Sequence, residues 1–324
     1  MQPLTILIVG ATGQQGTATI SALHTIIASQ KPHRNKTPSF EILALTRSAS
    51  SSKATALKAK FPDITLVEGS TRNPEAIFTA HPGITSIFLV TVPGAPGDEE
   101  AQALPLIDAA IITHEIPHLV FSSVDRGGDD ASWENETDVP HFASKHRIEM
   151  HLRSVTATAT ASATTAGSGS SKTTKTAWTI LRPTGFMDNY GSPTPFGRMM
   201  AALWATMPSG RRMQLVSVHD IGVFAARALL DPEGWQGRAV GLAGDEITFE
   251  EAREEYRETL GREMPQAWAL VGQGVRWAVA EAGTSMRWFE DVGFGADIKA
   301  LREEEPGLLD FRGWLKMTYG RGNG

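Results

Sequence analysis

Continuous apolar runs recur along the chain. Each is short enough for one strand, and most are followed by a stretch with helical spacing. The first covers residues 4–9, Leu-Thr-Ile-Leu-Ile-Val, and predicts a strand buried on both faces. Beyond it, Ala18, Ile20, Leu23 and Ile27 fall on one helical face. Runs at 40–46, 64–68, 86–91, 118–123 and 178–183 predict five more strands, and 238–242 reads as a late one. Asn73 and Pro74 are placed to cap and open a helix, and Ala101, Leu104, Ile107, Ile111 and Ile112 mark the apolar face of the next. A helix opening near Val139 continues through Ile148, Leu152 and Val155, and another runs from His219 and Asp220 until Asp231-Pro232 stops it. Thr248 and Glu251 have the spacing of a capping box. Strands alternating with helices predict an α/β protein with a doubly wound parallel sheet covered on both faces.

Two stretches break this rhythm. Residues 29–39 are polar and proline-broken, and read as an inserted surface loop. Residues 156–176 are almost entirely Thr, Ala, Ser and Gly. Such small, polar side chains offset little ordering entropy by burial, so this segment is expected to be a flexible insertion that carries no chemistry. With these set aside, residues 1–182, completed by about 212–244, form the expected sheet domain. Residues 183–211 and 245–324 form a smaller, mainly helical one. Its aromatics, Trp268, Trp277, Trp288 and Phe289, serve either as core or as the wall of a ligand cleft.

Composition narrows the class. Hydrophobic residues make up 41% of the 324, ample for a core, and the net charge of −6 argues against direct nucleic-acid binding. There is no cysteine, which removes disulfides, thiolate catalysis and cysteine-ligated metal, and no metal site is expected. No apolar run approaches the roughly 20 residues of a membrane helix, and the first one reaches glycine without a basic leader, so it reads as a strand, not a signal peptide. These features lead to the expectation of a cytoplasmic protein, with the nucleus as a second location.

The candidate chemistry begins where the first strand ends. Gly10-Ala-Thr12-Gly13-Gln14-Gln15-Gly16 places three glycines between a buried strand and an amphipathic helix, the opening of a Rossmann fold. Glycine permits the tight turn and lets backbone N–H groups approach a pyrophosphate at the positive end of the helix. The second strand ends in Arg47, where an NAD binder usually carries an acid for the ribose 2′-OH. Arg47, with Ser48, Ser50 and Lys53, instead offers donors for a 2′-phosphate, which points to NADP(H); the bland alternative is an exposed loop arginine. Thr91, Val92 and Pro93 follow the fourth strand and Ser122 and Ser123 end the fifth, so they border the crevice where such sheets reverse order. His141 and Lys145 stand four apart on one helix face, where many short-chain reductases place a Tyr and a Lys. A histidine is mostly neutral near pH 7, and a nearby ammonium disfavours its protonation further, which makes His141 a poor general acid. Its alternative is a polar residue at a helix start. Phe186, after the sixth strand, is a candidate wall of the nicotinamide site.

Taken together, Gly10 to Gly16, Leu45-Thr-Arg47, Phe88 to Thr91, His141-Phe-Ala-Ser-Lys145, Leu181 to Asn189, Val218-His-Asp-Ile-Gly222 and Gly241 to Phe249 resemble the NmrA-like family, an atypical branch of the short-chain dehydrogenases. The resemblance implies a Rossmann domain with a smaller C-terminal domain and a bound dinucleotide. Gly10, Thr12, Gly13, Gln15 and Gly16 would meet the pyrophosphate, Arg47 the 2′-phosphate and Lys145 the nicotinamide ribose. Ser70 stands where the family commonly has an Asp beside the adenine. Some members resemble sensors of the NADPH/NADP+ balance that act on transcription through protein partners. Others resemble reductases of small carbonyls, quinones or imines that use the Lys without the Tyr. An isomerase or epimerase that keeps its cofactor is a third reading.

Overall fold

The computed structural model describes residues 4–29, 40–165 and 176–320, the side chains of 160–165 excepted. Ten strands occur among these residues: β1 (Leu4–Ile8), β2 (Phe40–Thr46), β3 (Thr65–Glu68), β4 (Ile84–Val90), β5 (His118–Ser122), β6 (Ala177–Pro183), β7 (Gly185–Phe186), β8 (Met213–Val216), β9 (Arg238–Leu242) and β10 (Asp245–Ile247). By density of contacts the chain falls into two compact units. The first comprises Met1–Ser123, Ser144–Leu181 and Ile221–Ala239; the second comprises Val124–Ala143, Arg182–Asp220 and Val240–Gly324.

The main sheet has the order β3-β2-β1-β4-β5-β6-β9, and the pairings from β3 through β6 are all parallel. Leu7 lies opposite Leu43 on one side and Ile87 on the other, and Ile6, Leu7 and Ile8 are fully buried. This is the doubly wound order, in which the chain returns past β1 to build outward on its other side. The crevice at the carboxyl ends of β1 and β4 is therefore the place where a ligand fits.

Several local expectations need correction. Asn73 does not cap: the helix Glu75–Ala80 is preceded by Pro74 in helical conformation, with no side-chain cap. Ile112 is 63% exposed, although Ile111 is buried. The helix Asp98–Asp108 contains Pro105 and then widens to a π-helical turn over Ala109–Thr113, in which the His114 amide reaches the Ala109 carbonyl at 2.9 Å. The wider turn moves the apolar face out of a 3.6-residue register. The low-complexity stretch begins as helix, because Pro140–Thr165 is one continuous element. Alanine is a strong helix former, and the Thr156 and Thr158 hydroxyls donate back to the carbonyls of Leu152 and Ser154, at 2.8 and 2.9 Å. Residues 166–175 of that stretch, and 30–39 of the first insertion, lie outside the described residues.

Residues 124–143, assigned from sequence to the sheet domain, cluster with the second unit. The cause is local. Asp125 Oδ1 accepts the amides of Gly127, Gly128 and Gly295 at 3.0, 3.1 and 2.8 Å, and Val139 and Phe142 pack against Trp288. This unit also holds a small mixed sheet, β10-β8-β7, that the hydrophobic pattern does not announce. Asp188 Oδ2 accepts the Val218 amide at 2.9 Å, joining two of the motifs that carry the family resemblance. The Thr248–Glu251 capping box forms as expected. Trp204, Tyr256, Phe311 and Trp314 make the core, with Trp288 in a second cluster, whereas Trp268 and Trp277 are 83% and 89% exposed.

One buried group makes the fold sensitive to acid. His118, at the start of β5, is fully buried; its Nε2 lies 2.9 Å from the Thr179 hydroxyl, which itself donates to the Trp235 carbonyl. Burial lowers the imidazole pKa from 6.5 to about 4. As pH falls, the unfolded chain takes up this proton before the folded chain can, so stability drops between those two values by up to roughly 3 kcal/mol. Asp220, pushed up to about 6 by burial, acts in the opposite sense. The difference between wild type and His118→Gln isolates the histidine. Urea titrations from about pH 7 to about pH 4 should show a shallower decline in the variant. Equal declines would contradict this assignment.

Candidate functional site

The turn after β1 is closed by backbone contacts that only glycine allows. Gly10 has φ +72°, and a Cβ there would stand 2.6 Å from Val90 Cγ1. A Cβ on Gly16 would stand 2.3 Å from the Gly10 carbonyl oxygen and 2.7 Å from Ala11 Cα. The helix Gln14–Ser29 therefore starts in direct contact with the turn. The Gly13 amide donates to Gly10 and the Thr17 amide to Gly13, at 2.9 and 3.0 Å. Gly13 and Gln14 are exposed and Thr12 is half-buried. First-turn amides have no intrahelical acceptor and sit at the positive end of the helix dipole, so this exposed rim suits an anion. Gln15 Oε1 accepts from the Ser122 hydroxyl at 2.5 Å, which ties the end of β5 to the helix start.

At the end of β2, Arg47 is exposed and makes no hydrogen bond or ion pair to other described residues. The next helix, Ser52–Lys60, is capped by the Ser51 side chain and carries exposed Lys53 in its first turn. Two cations and a helix N-terminus thus surround one short loop, in which the Ser48 and Ser50 hydroxyls lie 3.0 Å apart. Sequence reasoning missed Glu68 here. It sits on β3 opposite Thr46, and its carboxylate accepts the Ala49 amide at 2.9 Å, bracing the loop. Ser70 is exposed and accepts the Arg72 amide at 3.3 Å.

At the end of β4 the surroundings turn from exposed to buried. Lys145 Nζ lies 2.9 Å from Glu99 Oε2 and donates to the Thr91 hydroxyl at 2.9 Å, while that hydroxyl donates to the same carboxylate oxygen. All three residues are buried, Glu99 being 3% exposed. Its other oxygen, Oε1, has no hydrogen-bond partner among the described residues. The ammonium also stands 5.8 Å from the Phe121 ring centroid. Glu99 was not anticipated, although its signal is present. On the helix Asp98–Asp108 it shares the buried face with Ala103, Leu106 and Ile107, so it belongs to the inward side of an acidic first turn.

Of the remaining candidates, Val92 is exposed and held by Gln102, whose side-chain amide bonds both its N–H and its carbonyl, at 3.0 and 2.9 Å. Pro93 is exposed. Ser123 is buried and its hydroxyl donates to buried Glu149, so it is engaged within the core. Phe186, on β7, belongs to the second unit. His141 does too: its Nδ1 lies 2.6 Å from Glu281 Oε1 and its ring meets Phe142 edge-on. The structure therefore brings Gly10–Gly16, Arg47, Thr91, Ser122 and Lys145 to the carboxyl ends of neighbouring strands of one unit.

Sheet order, glycine turn and switch-point crevice define a Rossmann-type dinucleotide-binding architecture with an additional, largely helical unit. The model of the NmrA-like family matches residues 2–268, and the chain belongs to that family. Its fold is similar to that of the Escherichia coli NADPH-dependent quinone oxidoreductase crystallised with NADPH, at 20% identity and TM-score 0.67, covering 96% of this chain and 99% of that one. The Citrobacter sp. triphenylmethane reductase complexed with NADP(H) matches at 16% identity and TM-score 0.66, over 97% and 99% of the two chains. The negative transcriptional regulator NmrA in complex with NAD matches at 18% identity and TM-score 0.64, over 99% and 96%. No curated protein sequence shows a significant match.

The glycine contacts separate two substitutions. Gly16→Ala must push the helix start away from the turn and should cost about 1–3 kcal/mol in thermal unfolding. Gly13→Ala meets only the Gly10 oxygen, at 3.2 Å, on an exposed position, and should stay within about 0.5 kcal/mol of wild type. Equal losses would mean that the close approach at Gly16 is not what holds the turn.

Proposed function

We propose that this NmrA-like protein binds NADP(H) as a report of redox state and passes that report to a protein partner, without turning over a substrate. The observation that carries the reading is the buried contact of Lys145 with Glu99 and Thr91. An ammonium 2.9 Å from a carboxylate has its charge largely offset, so it does little to draw a proton from a neighbouring acid. The position that would hold a phenol is His141, itself bound to Glu281. Of the three tyrosines, Tyr190 is buried with its phenol pushed up by that burial, Tyr256 donates to the Gly191 carbonyl and Tyr319 is also raised by burial. Proton transfer is the step this chain equips least.

The residues present fit the dinucleotide well. The exposed rim of Gly13 and Gln14, backed by glycine contacts that a Cβ would fill, suits the pyrophosphate. Arg47 and Lys53 suit a 2′-phosphate, and Thr91, Ser122 and Lys145 lie on the side of the second nucleoside. When bound, the nicotinamide supplies a hydride donor or acceptor. For a partner, the helix Ala269–Ala278 and its flanks present Trp268, Leu270, Val271, Trp277 and Val279 to solvent. Its one charged residue, Arg276, is turned to Glu290. An apolar surface of this kind is typical of a protein-binding site. The reductases among the fold's likenesses favour the second reading, an NADPH-dependent reductase in which Lys145 acts without a Tyr.

Calorimetric titration and a turnover assay decide between them. NADPH should bind more tightly than NADH, and Arg47→Ala should weaken NADPH by about tenfold or more while sparing NADH. Wild type mixed with NADPH and small quinones, aldehydes or imines should not consume NADPH above the protein-free rate. Turnover that disappears in Lys145→Ala would replace the sensor reading with the reductase one.

A further inference from the structure

The buried carboxylate of Glu99 needs a reason beyond pairing. Its Oε2 already takes two donors, from Thr91 and Lys145, while Oε1 is buried and takes none among the described residues. A buried carboxylate oxygen left without a donor is costly, so its presence calls for a role beyond the pairing. The pair lies on the β4 side of β1, whereas the Arg47 loop lies on the β2 side. A dinucleotide crosses a doubly wound sheet at this reversal. With its 2′-phosphate at Arg47 and its pyrophosphate at Gly13 and Gln14, its second nucleoside runs toward Thr91, Glu99 and Lys145.

That end of the molecule is the one whose charge changes. The nicotinamide ring is positive in the oxidised form and neutral in the reduced form. A lone buried ammonium on this side would repel the oxidised ring and leave the reduced ring untouched. A carboxylate paired with that ammonium removes the repulsion and, through its own negative charge, favours the oxidised ring. We propose that Glu99 sets the preference of the site between oxidised and reduced dinucleotide, by offsetting the charge of Lys145 on the side that the positive ring approaches. The inference rests on the nucleotide-binding reading above. It makes Glu99 a specificity-determining residue, and it gives the protein a means to distinguish NADP+ from NADPH, which a sensor requires because equal affinity for both forms carries no signal.

The test is the ratio of dissociation constants for NADP+ and NADPH, measured by calorimetry on wild type, Glu99→Gln, Lys145→Gln and Arg47→Ala. Loosening of the fold weakens both forms together and leaves the ratio unchanged, so the ratio reads charge. Glu99→Gln should weaken NADP+ relative to NADPH by about tenfold, the scale of one charge acting at short range in a partly shielded site. Lys145→Gln should move the ratio in the opposite direction, and Arg47→Ala should weaken both forms without moving it. If Glu99→Gln does not fold, the double variant Glu99→Gln/Lys145→Gln compared with Lys145→Gln decides, because the two differ only in the carboxylate: the double variant should favour NADP+ less, and an equal ratio overturns the inference. A wild type that binds both forms, with a ratio that Glu99→Gln leaves unchanged or shifts toward NADP+, overturns this inference alone. A wild type that binds neither form removes the nucleotide reading and this inference with it.

Discussion

The close approach of Gly16 to the Gly10 carbonyl is the constraint on which the site depends. It brings the first turn of a helix against the end of a buried strand, so that amides without intrahelical acceptors collect on an exposed rim. Any side chain at Gly16 would separate the two elements, and any at Gly10 would meet Val90 on the adjacent strand. The Gln15–Ser122 hydrogen bond extends the same restraint across β4 to β5. The anion-suited rim is therefore a product of backbone packing, and the proposed choice of dinucleotide and redox state falls to the side chains around it.

Those side chains divide by environment. On the β2 side, Arg47 and Lys53 are exposed, so their attraction for a phosphate is screened by salt but available to a ligand arriving from solvent. On the β4 side, Lys145 and Glu99 are buried, where charges act more strongly and desolvation is severe. A buried pair of this kind is weak evidence for stability, since apolar residues of the same size often serve as well. Its presence fits the role proposed for it toward a ligand whose own charge changes.

Much of this was legible in the residues. Apolar runs with a glycine turn between strand and helix place β1, β2 and β4 to β6 within a residue or two, and the Thr248–Glu251 spacing marks a cap that forms. What was not legible depends on distance or on local departures from ideal geometry. Glu99 and Lys145 meet across the 46 positions that separate them, and no periodicity reports a partner; periodicity could only have shown that Glu99 faces inward. Glu68 reaches the Arg47 loop through strand register. The π turn that exposes Ile112 changes the repeat on which the apolar pattern relies. Trp268 and Trp277 read as core because large aromatics usually are, and only the structure shows that they are exposed.

In the proposed mode of binding, the crevice beside β1 takes a dinucleotide with its nicotinamide end at the Glu99–Lys145 pair. A crystal structure of the protein with NADP+ tests it most directly. The pyrophosphate should lie against the Gly13–Gln14 rim, the 2′-phosphate on Arg47 and the nicotinamide beside Glu99. A dinucleotide bound with its nicotinamide on the Arg47 side, or bound away from the glycine turn, would contradict it.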